Sequence, residues 1–347
     1  MSAARKPIFE RVALIGLGLI GSSLAHVMRR EGLAGHIAGC VRSKASRATV
    51  RRLGLVDSLH TTPAVTVRGA DLVLLCTPVG TYDALAQAIA PTLKAGAILS
   101  DVGSVKQSVI RDVGPHLPEG VHFVPGHPIA GTEHSGPASG FAELFEGRWC
   151  ILTPPPGTDT AAVEVVAELW RRCGSMVEIM EAHHHDRVLG ITSHLPQLIA
   201  YTIVATASDV EQSLHGEVAK FSAGGLRDFT RIAASDPIMW RDIYLNNREA
   251  VLEMLQRFTE DLTALQRAIR WGEGEKLETM FQHTRELRRS IVAAHQAGTF
   301  DPREPGDARE PDRAGLKAPG PGKRARPAAS PAGGRSAVRS RRDRRPK

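Results

Sequence analysis

Three glycines near the N-terminus have the spacing of a turn that binds a dinucleotide. Gly16, Gly18 and Gly21 follow an apolar stretch, residues 11–17, and precede a segment of helical character, residues 22–30. In such a turn the first glycine permits the tight bend, the second lets the backbone approach a pyrophosphate, and the third allows the helix to pack on the strand. The N–H groups at the helix N-terminus then face the phosphates. The residues predicted to contact a nicotinamide cofactor here are Gly16, Gly18, Leu19, Ile20 and Gly21.

The end of the second predicted strand, residues 36–41, bears on the choice between NAD and NADP. An acidic residue at this position would bind the 2′-hydroxyl of the NAD ribose, but the chain has Arg42, Ser43 and Lys44. These residues could receive the 2′-phosphate of NADP; alternatively, they form a solvated segment of an enzyme that uses NAD. The cofactor is therefore predicted to be NAD or NADP. The contacts predicted outside the glycine turn are Arg42, Ser43, Thr77 and Pro78.

Polar residues that could carry catalysis or bind substrate follow other predicted strands. His127 ends a strand predicted over residues 122–126 and precedes a turn rich in glycine and proline. A neutral imidazole is suited to accept a proton near neutral pH; the alternative is a histidine on a surface turn. Ser104 also follows a predicted strand. Arg231 lies among apolar and aromatic residues in the segment 224–244, where an arginine could clamp a carboxylate or form ion pairs with neighbouring aspartates.

Six sequence motifs extend these observations over most of the chain. They are GLGLIGSSLA, SDVGSVK, PGHPIAGTEHSG, LFEGRWCILTP, HDRVLGITSHLP and FTRIAASDPIMWRD. Together, from about Arg11 to about Arg289, they resemble the prephenate and arogenate dehydrogenases of tyrosine biosynthesis, and most of all the broad-specificity (cyclohexadienyl) branch. The resemblance implies NAD(P)-dependent oxidative decarboxylation of prephenate, arogenate or both, which yields 4-hydroxyphenylpyruvate or tyrosine.

The resemblance also implies roles for individual residues. His127 falls on the family histidine that takes the proton of the ring hydroxyl at C4 while hydride leaves that carbon for the nicotinamide. Ser104 falls on the serine that bonds the same hydroxyl and helps to orient the histidine, and Arg231 on the arginine that binds the ring carboxylate. His194 falls on another histidine that lines the site. Gln197 stands where some prephenate-preferring members have a histidine near the substrate side chain, so the preference for prephenate or arogenate stays open.

Apolar patterning predicts the scaffold for these residues. Up to about residue 155, short and continuously apolar runs alternate with helical segments, which is typical of parallel strands covered on both faces. After Glu181 strand signals vanish and helical patterns take over. The predicted fold is α/β, a Rossmann-type doubly wound parallel sheet followed by an all-α C-terminal dimerisation domain. The predicted strands are 11–17, 36–41, 71–78, 97–102, 122–126, 149–154 and 175–180. The predicted domains are a dinucleotide-binding domain over residues 8–181, a helical substrate and dimerisation domain over 182–298, and a disordered basic tail over 299–347.

The segment 247–271 carries an apolar seam. Its apolar residues recur at intervals of four and three, as they do where one helix packs along another. These residues are Val251, Leu255, Phe258, Leu262, Leu265 and Ile269. The partner helix could belong to the same chain, but a long helix in a small second domain often packs across a two-fold axis. We therefore expect a homodimer.

The tandem His183-His184-His185, with Asp186, contains residue types that bind metals. Adjacent positions on one helix point in different directions and do not converge on one ion. We interpret the tandem as structure at the domain boundary and predict no metal site.

Charge and cysteine content argue against other classes of protein. The net charge is +7, but the residues from 301 onward hold 14 Lys and Arg against 6 Asp and Glu, so the remainder is close to neutral. The end of the tail could bind polyanions through phosphate contacts; alternatively, the tail is a solubilising extension, which is the interpretation we favour, and no nucleic-acid partner is expected. The four cysteines are far apart and lack metal-ligand spacing, which is typical of thiols in a reducing compartment. No segment is expected to span a membrane, and the protein is predicted to be cytoplasmic.

Two rival classes fit the residues less well. A dehydrogenase of the β-hydroxyacid type usually has a catalytic lysine on a helix of its second domain. In the corresponding part of this chain the only lysine is Lys220, and this classification would give no role to His127. A non-catalytic protein that senses NAD(P) would be expected to lack the base or the carboxylate anchor, yet Ser104, His127 and Arg231 are all present.

Overall fold

One parallel sheet forms the core of the N-terminal half. The structure is a computed structural model that describes residues 6–132, 134–211 and 220–293. The strands of this sheet are β1 (Phe9–Ile15), β2 (Ala34–Cys40), β3 (Ser58–His60), β4 (Leu72–Leu75), β5 (Ile98–Asp101) and β6 (His122–Val124). They lie in the order β3-β2-β1-β4-β5-β6, and every neighbouring pair is parallel. The strand order reverses beside β1, which confirms the doubly wound arrangement. The short strand β3 was not predicted.

Alternate residues of the central strands face two separate apolar cores. Val12 and Leu14 of β1 belong to one core, and Ala13 and Ile15 to the other. Helices cover both faces of the sheet, so the strands must be apolar on both sides. These helices are α1 (Leu19–Glu31), α2 (Lys44–Leu53), α3 (Pro63–Thr66), α4 (Tyr82–Ile89), α5 (Gln107–Val113) and α6 (Thr160–Arg172).

The strand predicted over residues 122–126 is two strands of different sheets. The second sheet comprises β7 (Gly126–Pro128), β8 (Trp149–Leu152) and β9 (Met176–Ile179), with β7 antiparallel and β9 parallel to β8. Pro125 has no N–H to donate to a ladder, so the parallel pairing ends there, while its carbonyl accepts the Thr153 N–H at 2.9 Å. The strands predicted over residues 149–154 and 175–180 therefore lie in this second sheet and do not extend the parallel one.

After β9 the described chain is helical, as predicted. Its helices are α7 (Ala182–Leu189), α8 (Leu195–Glu211), α9 (Gly224–Thr230), α10 (Pro237–Asn246), α11 (Arg248–Trp271) and α12 (Gly274–Ala293). A π-helical turn, Gly190–His194, joins α7 to α8. Pro196 cannot donate to the carbonyl of Thr192, and its ring pushes that carbonyl away, which accounts for the widened turn.

The run from α7 into α8 has the length and composition of a membrane span, contrary to the expectation from sequence. Over Ala182–Val210 its most apolar window has a mean hydropathy of 1.4. However, His185, Asp186 and His194 on this run are buried, and they hydrogen-bond to residues in other parts of the chain. These polar contacts identify the run as a packed helix of the helical domain.

The apolar seam predicted along α11 is only partly covered by the chain itself. Val251 is buried, whereas Leu262 and Ile269 are 52% and 67% exposed. Phe281 on the neighbouring α12 is 55% exposed. The seam is therefore not simply the core of one chain, and exposed apolar strips of this kind mark interaction surfaces. The predicted tail, residues 299–347, lies outside the described residues.

Candidate active site

The glycine turn joins β1 to α1 and leaves open space over the helix N-terminus. Gly18 is the N-cap of α1 and provides no side-chain cap; a Cβ on Gly18 would meet nothing within 4 Å. Gly16 has a φ of +99°, and its Cβ would lie 2.8 Å from the Cys76 carbonyl oxygen and from the Thr77 methyl. A Cβ on Gly21 would lie 2.1 Å from the Gly16 carbonyl oxygen. The uncapped N–H groups beside this open space fit a pyrophosphate.

The other predicted contacts of the dinucleotide flank the turn. Leu19 and Ile20 are the first two residues of α1 and are half-buried. After β4, the Thr77 hydroxyl lies 2.8 Å from that of Thr81, which donates to the Pro78 carbonyl at 2.7 Å. These bonds fix the loop after β4 beside the glycine turn.

The carboxyl end of β2 opens beside a basic groove. Ser43 caps α2 by accepting a backbone N–H at 3.1 Å. The Arg47 guanidinium donates to the Arg42 carbonyl at 2.7 Å, and the Val41 N–H donates to the His60 carbonyl at 3.1 Å. The groove is lined by Arg47, Arg51, Leu59, His60, Thr61, Thr62 and Val65. The predicted residues Arg42 and Ser43 therefore stand next to further positive charge.

His127, the middle residue of β7, is held by a chain of hydrogen bonds from the helical half. Its side chain is 7% exposed, and its Nδ1 lies 2.9 Å from Nε2 of His185 in α7. Nδ1 of His185 lies 2.8 Å from Oδ1 of Asp186. The Asp186 carboxylate accepts the N–H groups of Lys106 at 2.7 Å and Gln107 at 2.9 Å. The orientation of His127 thus depends on residues more than fifty positions away.

A buried ion pair fixes the backbone beside His127. Lys106 Nζ donates to Asp101 Oδ2 at 2.6 Å and to the Gly126 carbonyl at 2.7 Å. The Asp101 carboxylate also accepts the N–H groups of Gly103 at 2.7 Å and Gly126 at 3.1 Å. Burial raises the pKa of Asp101 and lowers that of Lys106, and their pairing opposes both shifts. Because both polar groups of Gly126 are bound, the start of β7 has little freedom to move.

The environment disfavours positive charge on the three histidines of the site. Burial lowers the pKa of His127 well below 6.5, and repulsion from His185 and His194 when they are protonated, and from the Lys106 ammonium, acts in the same direction. Burial also lowers the pKa of His185, although Asp186 opposes this shift. Burial lowers the pKa of His194 to about 4. An uncharged His127 can accept a proton near neutral pH.

His194 presents a buried donor without a partner among the described residues. Its Nδ1 lies 3.0 Å from Nδ2 of Asn247, which also donates to the Asp186 carbonyl at 2.8 Å. Because the amide nitrogen is a donor, Nδ1 of His194 accepts and its Nε2 carries the proton. That buried Nε2 has no hydrogen-bond partner in the described chain. Such an atom calls for water or a ligand oxygen.

Ser104 lies half-buried between Asp101 and Lys106. Among the hydrogen bonds of the described chain none links its hydroxyl to His127, whose Nδ1 is bound to His185 instead. His185 is thus the described partner of the imidazole, and the part that the family resemblance gives to Ser104 in orienting His127 stays a prediction.

The segment that carries Arg231 is tied to α8 by two side chains. Gln197, itself buried, donates from Nε2 to the Ile232 carbonyl at 2.8 Å. The Tyr201 hydroxyl donates to the Ser235 carbonyl at 3.2 Å. Arg231 itself is exposed. Gln197 thus positions the turn next to the predicted carboxylate anchor, a role that its sequence position alone did not indicate.

The helical half also contacts the loop after β4. A Cβ on Gly80 would lie 2.8 Å from Oδ2 of Asp242 in α10. Asp242 is 11% exposed at its side chain and pairs with Arg241 at 2.7 Å. This close approach brings α10 against the strand ends that carry the predicted cofactor contacts.

Sequence reasoning missed the contribution of His185 and Asp186. The interpretation of the tandem as structure at the domain boundary did not foresee that His185 reaches His127. The His-Asp pair within the motif HDRVLGITSHLP was the available signal. Among the described residues, no group of three or more His, Cys, Asp or Glu side chains could hold a metal ion.

Fold and site together define an NAD-dependent dehydrogenase, in which a nucleotide-binding domain precedes a helical domain. The sequence model described as "Prephenate dehydrogenase, nucleotide-binding domain" matches residues 24–179, and "Prephenate dehydrogenase, dimerization domain" matches residues 181–283. The chain belongs to the prephenate dehydrogenase family.

Individual relatives agree with this membership. The chain is 41% identical to the cyclohexadienyl dehydrogenase of Zymomonas mobilis, over 83% of this chain and 98% of that protein. A crystal structure of Aquifex aeolicus prephenate dehydrogenase with hydroxyphenyl propionate and NAD+ is 35% identical, with a TM-score of 0.76 over 84% of this chain and 100% of that one. Synechocystis arogenate dehydrogenase is 25% identical, with a TM-score of 0.69 over 81% and 99% of the two chains.

The shifted pKa of His194 predicts that acid destabilises the fold. The unfolded chain has a histidine pKa of 6.5, above the folded value of about 4, so the unfolded state binds the proton more tightly as the pH falls between these values. His194 alone should remove roughly 3 kcal/mol of unfolding free energy between pH 7 and pH 4. Urea unfolding at several pH values measures this loss.

The matched variants for that measurement are His194→Gln and His183→Gln, the second at an exposed position. We expect the first to weaken the pH dependence and the second to leave it unchanged. An unaltered pH dependence in His194→Gln would contradict the assignment of a buried, uncharged His194.

Proposed function

We propose that this chain oxidises and decarboxylates prephenate, arogenate or both, using NAD or NADP, and so makes 4-hydroxyphenylpyruvate or tyrosine. The observation that carries the proposal is His127. It is a buried imidazole whose pKa burial holds well below 6.5, and only its Nδ1 is bound by another described residue. The names of the relatives supply the substrate class.

In the proposed reaction His127 accepts the proton of the ring hydroxyl at C4. The bound nicotinamide supplies the acceptor for the hydride from that carbon, and loss of CO2 makes the ring aromatic. Ser104 is proposed to bond the same hydroxyl, since its own hydroxyl has no hydrogen-bond partner among the described residues. Arg231 is proposed to bind the ring carboxylate. Because that carboxylate leaves as CO2, Arg231 should act by positioning the ring more than by tight ground-state binding.

Two further residues are proposed to face the substrate. The buried Nε2–H of His194 lacks a described partner and suits an oxygen of the substrate. Gln197 already donates to the Ile232 carbonyl, which leaves its amide oxygen to accept from a substrate group. An acceptor there is compatible with the ammonium group of arogenate, whereas prephenate has a keto group at the corresponding place. Both substrates therefore belong in the test.

The dinucleotide is proposed to lie across the carboxyl ends of β1, β2 and β4. The N–H groups of the first turn of α1 would hold the pyrophosphate, in the open space beside Gly18. Thr77 and Pro78 would face the cofactor from the loop that lies against Gly16.

The groove beside β2 favours NADP at least as much as NAD. No acidic side chain follows β2 to bind a ribose 2′-hydroxyl, and Arg42 and Ser43 stand there instead. Arg47 touches the Arg42 carbonyl, and His60 neighbours the end of β2 through the bond to Val41. A 2′-phosphate placed at this strand end would lie near the guanidinium groups of Arg42 and Arg47, and guanidinium groups bind phosphate well.

We also propose that the chain forms a homodimer. A second copy of the chain would cover the exposed apolar strip of α11, in keeping with the dimerization domain matched over residues 181–283. We propose that the boundary between the nucleotide-binding and helical domains lies between residues 181 and 182, as the sequence predicts. Cytoplasmic location is proposed because the four cysteines are free thiols, as they are in a reducing compartment.

His127→Asn should abolish turnover without abolishing cofactor binding. Loss of a general base costs about 10²- to 10⁴-fold in rate, because the asparagine amide cannot take the hydroxyl proton. We would measure formation of reduced cofactor with prephenate and arogenate, each paired with NAD and with NADP. His183→Asn, at an exposed position of α7, is the control and should retain full activity. Absence of turnover by the folded wild-type enzyme in all four combinations, or an active His127→Asn, would refute the proposal.

Arg42→Ala should weaken the use of NADP more than the use of NAD. A hydrogen bond to a charged group contributes about 1.5–3 kcal/mol, so kcat/KM for NADP should fall by about 10- to 100-fold and that for NAD by much less. Arg52→Ala is the matched control, because Arg52 is an exposed arginine near the end of α2 that does not line the groove. An equal loss with both cofactors would show that Arg42 does not recognise the 2′-phosphate.

A further inference from the structure

His185 and Asp186 are fully enclosed polar residues that the proposed chemistry does not yet use. His185 and Asp186 are both 0% exposed. Charged and polar side chains are rarely buried unless they are paired or hydrogen-bonded. They lie on α7, and they reach the candidate base from the opposite half of the molecule. Their neighbours His183 and His184, on the same helix, are exposed.

The hydrogen bonds of Asp186 determine where the protons on the histidines lie. Its carboxylate accepts two backbone N–H groups, from Lys106 and Gln107. Burial favours the neutral acid, but the hydrogen bonds from His185 and Gln107 lower the pKa of Asp186 overall, so the group is ionised and can only accept. Nδ1 of His185 must therefore donate to it, and in the neutral ring Nε2 of His185 is an acceptor.

The same reasoning passes to His127. Its Nδ1 lies 2.9 Å from the acceptor Nε2 of His185, so Nδ1 of His127 carries the proton. A neutral imidazole has one protonated nitrogen, which leaves Nε2 of His127 unprotonated. The chain from Asp186 through His185 thus selects the one tautomer in which the free nitrogen of His127 can act as a base.

Charge also favours movement of a proton along this chain. The groups that face His127 are His185, Lys106 and His194, and each disfavours positive charge there. His185 faces the carboxylates of Asp186 and Asp101, which favour positive charge on it, while Lys106 opposes it. A positive charge is therefore more stable on His185 than on His127.

We propose that His185 and Asp186 are positioning residues that set the tautomer of His127 and take up the charge formed when it acts as base. The inference rests on the proposed role of His127. As the substrate O–H bond breaks, an N–H bond forms at Nε2 of His127. The Nδ1–H bond of His127 breaks, and the proton joins Nε2 of His185. His127 ends neutral, and His185 becomes an imidazolium beside the Asp186 carboxylate.

Asp186→Asn tests this arrangement because it preserves size. The asparagine oxygen would still accept a backbone N–H from Lys106 or Gln107, and its NH2 group would then face His185. That donor forces Nδ1 of His185 to accept, which reverses both tautomers and places a proton on Nε2 of His127. By analogy with the same substitution in a Ser-His-Asp triad, kcat should fall by about 10³- to 10⁴-fold. The KM for substrate and the Kd for cofactor should change less than about threefold, because the substituted residue touches neither ligand.

A spectroscopic readout separates this role from a structural one. Nitrogen-15 NMR of labelled histidine, without substrate, reports which ring nitrogen of His127 is protonated; the His127→Asn spectrum assigns the signal. We expect an unprotonated Nε2 in the wild-type protein, a protonated Nε2 in Asp186→Asn, and no change in the control His184→Gln. A merely structural role predicts no change of tautomer.

A protonated Nε2 in neutral wild-type His127 would overturn the inference, even if Asp186→Asn failed to fold. Wild-type kcat in a folded Asp186→Asn would also overturn it. Because the NMR measurement needs no substrate, its result stands apart from the assignment of substrate. A wild-type enzyme that is inactive on prephenate and arogenate would refute the proposed function. The NMR spectrum would still determine which tautomer of His127 is present.

Discussion

The hydrogen bond between His127 and His185 joins the nucleotide-binding half of the chain to the helical half at the proposed reaction centre. Several features of the fold serve to make this contact. Pro125 ends the parallel pairing, so the next residues form β7 and carry His127 into a second sheet. Lys106 and Asp101 bind both polar groups of Gly126 and hold the start of β7. On the opposite side, the N–H groups that precede and begin α5 bind Asp186 and fix α7.

Burial sets the chemistry of this centre because it makes charge costly unless the charge is paired. Asp101 and Asp186 each accept hydrogen bonds from at least two backbone N–H groups, which supply the stabilisation that water would otherwise give. Among the described residues no carboxylate is in direct contact with His127, and burial lowers the pKa of its imidazole, which remains uncharged. The site therefore combines an uncharged base, His127, with two fixed carboxylates, Asp101 and Asp186, which do not contact His127 directly and are linked to it through an intervening residue. Transfer of a hydroxyl proton requires a base that is unprotonated at the working pH, and a buried, uncharged imidazole meets that requirement.

The features of the fold that depend on neighbouring residues could be predicted from the sequence. The glycine turn, the continuously apolar strands and the helical second half followed from spacing and patterning, and the fold class they indicated is confirmed. His127 was identified as a candidate from its place at a strand end. The partners of His127 could not be predicted, since which of three successive histidines faces β7 depends on how α7 is rotated against a strand 58 residues earlier. The division of residues 122–126 between two sheets likewise depends on tertiary pairing at Pro125. The exposed end of the α11 seam was visible as a pattern, but only the structure shows which of its residues the chain leaves uncovered.

The most direct test of the account follows the hydrogen at ring C4 of the substrate. Prephenate and arogenate labelled with deuterium at C4 would be turned over with whichever cofactor the enzyme uses, and the reduced cofactor and the released CO2 would be quantified by mass spectrometry. The account predicts one deuterium in each reduced cofactor and one CO2 for each turnover, because hydride transfer from C4 and decarboxylation belong to one reaction. Reduced cofactor without deuterium, or reduction without release of CO2, would contradict it.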